Sequence, residues 1–409
     1  MLATDSTTPQ HENWSSRLAF LLAVLGAAIG LGSLWRFPYV AGANGGGAFV
    51  LIYLFFSLVI SVPLVMAELA IGRMGQRSPV NTIRLLCAEN HLGGIWQGIG
   101  WLSILAPLLA LCFYSVIAGW SLDFIYQAAR GVFSGISPEH AQRVFDDLLS
   151  SPARLFFWHT LYMMATVFMV ARGIRGGLET TNRIMMPGLL IMMVLLVIYA
   201  HVAGDALSGW RFLFSPDFSS LTAEGILMAL GQSLFSVSVG TGALITYGAY
   251  LSPDIRIPGC SWLIALSVAG VSILCGLAIF PIVFASGLDP AGGPGLMFVT
   301  LPLALGKMPG GYVIGILFFV MVFFAAFTSS IAMLEPIVSW MMDKGFRRAP
   351  VAIVAGLGTW IAGGATVLSF NLLSDFEPLS FIPIFAGRNM FEIVDFTVSN
   401  VCLPLNALL

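Results

Sequence analysis

The recurrence of apolar runs long enough to cross a bilayer constrains this chain more than any other feature. Ten can be read, roughly at 17–40, 47–72, 95–128, 155–171, 184–203, 222–250, 260–287, 311–342, 349–370 and 390–409. About 20 residues cross the hydrocarbon core as a helix, so each run is long enough or nearly so. The longest runs imply tilt or extension beyond the membrane. Charge is correspondingly scarce, at 9% of the residues, against about 25% in a soluble domain. The 18 basic and 20 acidic side chains cannot cover a soluble protein of 409 residues. A hydrophobic content of 58% excludes disorder. The expected class is an all-α polytopic membrane protein with ten transmembrane helices.

Other functions fall away on simple grounds. The net charge of −2 leaves no basic surface for nucleic acid. Cys87, Cys112, Cys260, Cys275 and Cys402 are scattered, without a CxxC pair, and read as small apolar residues. The first apolar run is not a cleaved signal, because no A-x-A site follows and it continues into Arg36-Phe37-Pro38. No Ser/His/Asp, HExxH or cysteine-nucleophile constellation is present, so an enzyme is not expected. His11, His91, His140, His159 and His201 are read as lying in loops or near segment ends.

Loop charge gives an orientation. Arg73, Arg77 and Arg84 follow segment 2, Arg172, Arg175 and Arg183 follow segment 4, and Lys344, Arg347 and Arg348 follow segment 8. These exits share one side, which places it and the N-terminus in the cytoplasm. Arg17 and Arg256 agree, while Arg130, Arg143 and Arg154 in a loop on the other side weaken the bias. In that loop Ser137-Pro138-Glu139 predicts a short surface helix through Leu149, with Ser as cap and Pro at the first helical position.

Two segments carry sequence that a continuous helix would avoid. Segment 1 reads Gly26-Ala27-Ala28-Ile29-Gly30-Leu31-Gly32-Ser33, and segment 6 reads Ser236-Val237-Ser238-Val239-Gly240-Thr241-Gly242. Gly26-x-x-x-Gly30 taken alone fits a small-residue packing face. The two segments, however, open successive sets of five, and breaks at matching positions of two halves point to a transporter site. An odd number of helices per half inverts the second half. The chain is therefore expected to be one transmembrane domain over 1–409, with repeats at 17–203 and 222–409. Broken helices expose amides and carbonyls that must find partners in the membrane. Half-helix N-termini suit a carboxylate, and free carbonyls suit a small cation such as sodium.

The residues also carry a resemblance. Trp14-Ser15-Ser16-Arg17, then Gly30-Leu31-Gly32-Ser33-Leu34-Trp35-Arg36-Phe37-Pro38-Tyr39, then Asn44-Gly45-Gly46-Gly47-Ala48-Phe49 resemble the neurotransmitter:sodium symporter family. Gly231-Gln232-Ser233-Leu234-Phe235-Ser236, Thr328-Ser329-Ser330-Ile331-Ala332 and Asp395-Phe396 continue the match. The broken-helix rule was itself drawn in part from this family. The sequence is most similar to bacterial members, which implies a multi-pass protein of the plasma (inner) membrane. Those members have eleven or twelve helices, so the resemblance implies one or two further helices after Leu409. It also implies a sodium-coupled symporter that imports an amino acid by alternating access. A transport-inactive, sodium-dependent amino-acid-binding protein or sensor is the alternative.

The resemblance assigns residues. A second sodium site takes carbonyls of Gly26, Ile29 and Ala325 and hydroxyls of Thr328 and Ser329, a hard oxygen set. Those two hydroxyls can also simply bond the preceding helical turn. The first sodium site is eroded: Ala28, Ser33 and Ser236 remain as donors, and Val268 stands where relatives have an oxygen-bearing side chain. Coupling is therefore expected to rest on the second site. Chloride near Tyr53, Gln232, Ser236 and Ser272 is a lesser expectation. Substrate binding falls to the amides around Ala28, Leu31 and Gly32 and to the Tyr114 hydroxyl, with carbonyls of Phe235 and Ser236 for an ammonium. Gly30 leaves room for a substrate carboxylate where monoamine transporters carry aspartate. The side-chain pocket is assigned to Ala110, Phe235, Ser238, Thr241, Ser329 and Met333, with room for a medium or large apolar side chain. Arg36 and Asp395 are expected to pair as an outer gate above Phe235 and Tyr114. Trp14, Tyr250 and Asp343 match inner gate positions, and His11 stands where relatives have arginine. Glu68 and Glu335 are read as buried acids, the former bonding the broken part of segment 6. The oligomeric state is not indicated.

Overall fold

Residues 13–219, 221–289 and 295–409 are described by a computed structural model, and among them the chain is all-helical. His11 lies outside the described residues. The first span is two helices, α1 (Arg17–Ala28) and α2 (Gly32–Ala43), bent by 54° at the break. Next come α3 (Gly47–Gly75), α4 (Pro79–Glu89), α5 (Gly94–Ala129), α6 (Pro138–Leu149), α7 (Pro152–Ala171), α8 (Ile174–Ala203) and α9 (Ala206–Phe214). The sixth span is again split, into α10 (Ala223–Ser236) and α11 (Ala243–Ala249). It is followed by α12 (Ile257–Ala285), α13 (Leu296–Lys307), α14 (Gly311–Asp343) and α15 (Arg348–Ser369). The last span, α16, covers 390–408. Seven helices and the bent α1–α2 pair are long and apolar enough to cross a membrane. The α10–α11 pair and α16 complete ten spans, two sets of five with a break opening each.

Side-chain signals set the helix ends. Ser16 Oγ accepts the Ala19 amide at 3.1 Å and starts α1, and Thr222 does the same for Gly225 at 3.0 Å. Ser137 caps α6 by accepting the His140 amide, as expected, and Pro138 occupies its first position. Just past α8, Asp205 caps α9 by accepting from Ser208, whose hydroxyl holds that carboxyl below its usual range. Asn389 and Glu392 form a reciprocal capping box at the start of α16.

Prolines shape the spans in a recurrent way. Wide π turns at Gly32–Arg36, Ser57–Ser61, Leu296–Thr300 and Thr397–Cys402 each end two residues before a proline, at Pro38, Pro63, Pro302 and Pro404. Proline lacks an N–H and its ring collides with the carbonyl four residues back. The wider turn relieves that collision, and the freed Leu34 carbonyl accepts the Cys275 thiol at 3.2 Å.

The outer spans are apolar on both faces. On α7, Phe157, Leu161, Met164 and Phe168 are exposed along one stripe, while Leu155, Tyr162, Met163 and Val170 are buried on the other. Such an exposed stripe fits lipid. α14 runs through the interior, packed on α5, α8, α1 and α15. The expectation for His159 is corrected here. It sits inside α7, fully buried, its Nε2 donating to the Trp360 carbonyl at 3.2 Å because that carbonyl can only accept.

Candidate ion and substrate site

The two breaks face one cavity. Ile29 leaves the helix at φ −81° and ψ 80°, and the second break passes through Ser238, Gly240 and Gly242, all at positive φ. Ala27, Ala28, Gly30, Leu31 and Gly32 line the cavity from the first break. Phe235, Ser238, Val239 and Thr241 line it from the second, Ala110 and Tyr114 from α5, and Ser329 and Met333 from α14. Val398 and Leu403 close it from α16. The cavity is about 40 Å³, little more than the roughly 30 Å³ that a water occupies in the liquid. A larger occupant therefore requires the lining residues to move apart.

Of the residues assigned to substrate, Ser236 alone is absent from this wall. Its hydroxyl accepts from Gln232 Nε2 at 3.0 Å. Tyr114 takes the expected position, its hydroxyl accepting the Leu31 amide at 3.2 Å. Gly30 is required by close approach: a Cβ there would stand 2.5 Å from Ser329 Oγ and 2.8 Å from the Tyr114 hydroxyl. The ring of Phe235 lies against Gly32, where a Cβ would meet it at 2.5 Å. With the start of α2 facing the cavity, Leu31 and Gly32 offer the positive end of a helix.

Beside the cavity, Gly26, Ala325, Thr328 and Ser329 come together. Ser329 Oγ lies 3.2 Å from the Gly26 carbonyl, 3.1 Å from that of Ala27 and 3.2 Å from that of Ala325. Thr328 Oγ1 lies 3.0 Å from the Phe324 carbonyl and 3.2 Å from that of Ala325. One hydroxyl carries one proton and can satisfy one acceptor at a time. The Phe324 and Ala325 carbonyls also accept amides within their own helix, whereas the Gly26 and Ala27 carbonyls stand just before the break and share the Ser329 proton, and that surplus of oxygen fits a small hard cation.

The residues assigned to the eroded first site make a different environment. Ser33 is fully buried with no partner for its hydroxyl, and Gln232 Oε1 is also unpartnered. Gln232 Nε2 donates to the Gly32 carbonyl at 2.8 Å as well as to Ser236. Tyr53 donates to Ser272 Oγ at 3.2 Å, and Ser272 Oγ bonds the Val268 carbonyl at 3.1 Å. Val268 is fully buried and brings only its backbone oxygen.

Side chains from two distant helices fix the second break. The Gly240 amide donates to Glu68 Oε1 of α3 at 2.7 Å, and the Gly240 carbonyl accepts from Asn406 Nδ2 of α16 at 2.7 Å. Both backbone polar groups of a residue at φ +83° are thereby satisfied in the membrane interior. Asn406 also donates to Ser103 Oγ at 3.0 Å. Asn406 is missed by the sequence reading, although an amide in an apolar run is itself a signal. Asn182 of α8 is missed as well. It is fully buried, with Nδ2 donating to the Leu178 carbonyl at 2.8 Å.

The gate residues are arranged differently on the two sides. Arg36 and Asp395 do not form the expected direct ion pair. Arg36 lies over the Phe235 ring, 5.0 Å from its centroid, and Asp395 Oδ1 accepts from Ser399 at 3.0 Å. Arg36, Phe235 and Ser399 line an open cavity of about 440 Å³ that reaches to Leu408 and forms an entrance on this side. On the other side, Trp14 Nε1 donates to the Tyr247 carbonyl at 3.1 Å and its amide to the Tyr250 carbonyl at 3.2 Å. Tyr250 donates to Glu335 Oε1 at 2.9 Å, and Glu335 Oε2 pairs with Arg348. Asp343 accepts the Ser78 amide at 2.9 Å and Asn81 Nδ2 at 2.8 Å, so it staples α14 to α4. Asp123 and Glu179 add to the buried acids beyond the expected pair. The first binds Arg154 and Trp158, and the second accepts from Ser15.

With this geometry in place, comparison with known proteins is informative. Residues 11–135 and 146–361 match the model of the sodium:neurotransmitter symporter family. The uncharacterized sodium-dependent transporter YhdH of Bacillus subtilis is 38% identical over 398 residues, which is 97% of this chain and 86% of the relative. An uncharacterized sodium-dependent transporter of Haemophilus influenzae is 31% identical over 410 residues, 98% of this chain and 88% of the relative. The crystal structure of MhsT in complex with L-phenylalanine superposes with a TM-score of 0.88 at 41% identity, covering 97% of this chain and 88% of that one. Its likeness makes the two sets of five an inverted-repeat transporter fold. The broken first and sixth spans, the oxygen cluster between α1 and α14, and the matched length together place the chain in the sodium:neurotransmitter symporter family.

Proposed function

We propose that the protein is a symporter that carries an amino acid inward with sodium by alternating access. The family is one of sodium-coupled transporters, not of enzymes. The observation that carries the reading is the crowding of the Gly26, Ala27 and Ala325 carbonyls around the single Ser329 hydroxyl, beside the cavity between the breaks. Sodium is cargo at that cluster, held by Gly26, Ile29, Ala325, Thr328 and Ser329. The substrate carboxylate lies at Leu31 and Gly32 with Tyr114, and its ammonium at the carbonyls of the second break. The likeness to MhsT, which binds L-phenylalanine, supports an apolar side chain against the small residues Ala110 and Thr241. Coupling rests on the second site, with Ala28, Ser33 and Ser236 contributing less. Chloride at Tyr53, Gln232, Ser236 and Ser272 is not required by this reading.

The repeats run over 17–203 and 222–409. Basic loops support an N-terminus in the cytoplasm, and likeness to bacterial relatives supports a bacterial inner membrane. The open cavity beside Arg36, above a site between the breaks that holds little more than a water, supports a carrier whose outer vestibule is open while its site is occluded. Reconstituted protein in liposomes tests this, with an inward sodium gradient and competition by a panel of amino acids against a radiolabelled apolar one. Sodium-stimulated uptake is expected. Sodium-dependent binding without uptake would establish the alternative, a transport-inactive binding protein or sensor.

A further inference from the structure

Asn182 is a fully buried amide, packed against Gly26 of the oxygen cluster, whose acceptor has no partner among the described residues. Its Nδ2 is committed to the Leu178 carbonyl at 2.8 Å, which fixes the side chain and leaves Oδ1 free. That oxygen is packed against the backbone face of Gly26. A Cβ on Gly26 would overlap Asn182 Oδ1, stand 2.9 Å from Asn182 Cγ and 3.1 Å from Thr328 Cβ. Gly26 and Thr328 are two of the residues that gather at the cluster, so Oδ1 approaches it between α1 and α14. A buried acceptor without a donor is costly in a membrane interior. Leucine, of nearly the same shape and without that cost, would fill the space more cheaply if packing were its only role. An amide oxygen is a hard ligand of the kind that sodium takes.

The geometry points to Asn182 Oδ1 as an additional oxygen for the sodium ion at the Gly26, Ile29, Ala325, Thr328 and Ser329 cluster, an inference that rests on the function proposed above. The arrangement explains why Gly26 lacks a side chain: only a glycine lets the amide come so near. It also gives α8 a direct hold on the ion, which α1 and α14 otherwise share. Asn182 is a ligand-side residue on this reading, and its bond to Leu178 positions the oxygen.

Equilibrium binding of ²²Na⁺ to the purified full chain tests it, without any transport step. Asn182→Leu removes the oxygen and is expected to weaken sodium binding about 10-fold, the scale seen when a group supporting a metal site is lost. Asn182→Asp cannot donate to Leu178 but keeps an oxygen and adds charge, so it is expected to bind sodium more tightly than the parent. Ser329→Ala serves as reference and is expected to weaken binding. If Asn182→Leu binds sodium as the parent does, or if Asn182→Asp loses affinity as Leu does, the oxygen is not a ligand and the proposal fails. If Asn182→Leu does not fold, the Asp variant decides alone: tighter binding upholds the proposal and unchanged or weaker binding overturns it. Unchanged binding in Ser329→Ala would instead overturn the cluster as the sodium site, and with it the proposed function.

Discussion

The Ser329 hydroxyl and the Gly26 carbonyl meet at 3.2 Å although 303 residues separate them in the chain. The contact joins α14 to the last turns of α1, just before the first break. It sits in a cluster where acceptors outnumber protons, so its geometry depends on what neutralises the oxygens. Removing the hydroxyl should change ion affinity more than fold. For Ser329→Ala the half-saturating sodium concentration for substrate uptake is expected to rise about 10-fold, equivalent to ~1.4 kcal/mol. A sodium titration of uptake checks it, with a thermal melt to show that the fold is kept.

Tyr114→Phe should act through one buried amide. The Leu31 N–H loses its acceptor, and an unsatisfied buried donor costs about 1–3 kcal/mol. Substrate affinity is expected to fall about 10-fold, as half of that range implies. Competition binding measures it, and wild-type affinity in Tyr114→Phe would remove the hydroxyl from the site.

Gly240→Ala should disable the second break. Its φ of +83° is unfavourable for a side chain by about 1–2 kcal/mol, and the new Cβ would stand 2.6 Å from the Leu403 carbonyl. A lowered melting temperature and lost substrate binding are expected. Asn406→Ala is the milder test, because it frees the Gly240 carbonyl without altering the backbone; uptake is expected to drop while the chain still folds.

The Glu335–Arg348 pair predicts non-additive behaviour. Arg348→Met alone strands a buried carboxylate and should destabilise by about 3–5 kcal/mol. Adding Glu335→Gln removes the stranded charge and should recover most of that loss. Thermal unfolding of the two single variants and the double variant measures the coupling.

Asp395→Ala should separate gating from binding. Asp395 bonds Ser399 and does not touch Arg36 directly, while Arg36 lies over Phe235. Uptake is expected to fall because the entrance cannot be sealed. Equilibrium substrate binding is expected to stay within a few-fold of the parent, and a matching loss of binding would refute a gate role.

Much of this is legible in the sequence. Glycine and serine runs marked both breaks, Ser137-Pro138 marked the start of α6, and loop arginines and lysines marked the ends of spans. Other features are not. Ser236, assigned to substrate through its carbonyl, does not line the cavity, because the path of the backbone through a break is set by packing rather than by local sequence. Arg36 and Asp395 were expected to pair, but the width of an entrance depends on how far apart whole helices stand.

The sequence by itself determined what acts within a few residues. Apolar length set the spans, hydroxyl and amide caps set their ends, and each proline that follows a π turn set that turn. Tertiary structure alone decided which distant polar atoms meet. Asn406 on Gly240, Asn182 on Gly26 and Arg348 on Glu335 could not be paired from their positions in the chain. The reason is physical: backbone preference is local, whereas a buried polar atom must be matched by whatever donor or cation the packed helices bring to it.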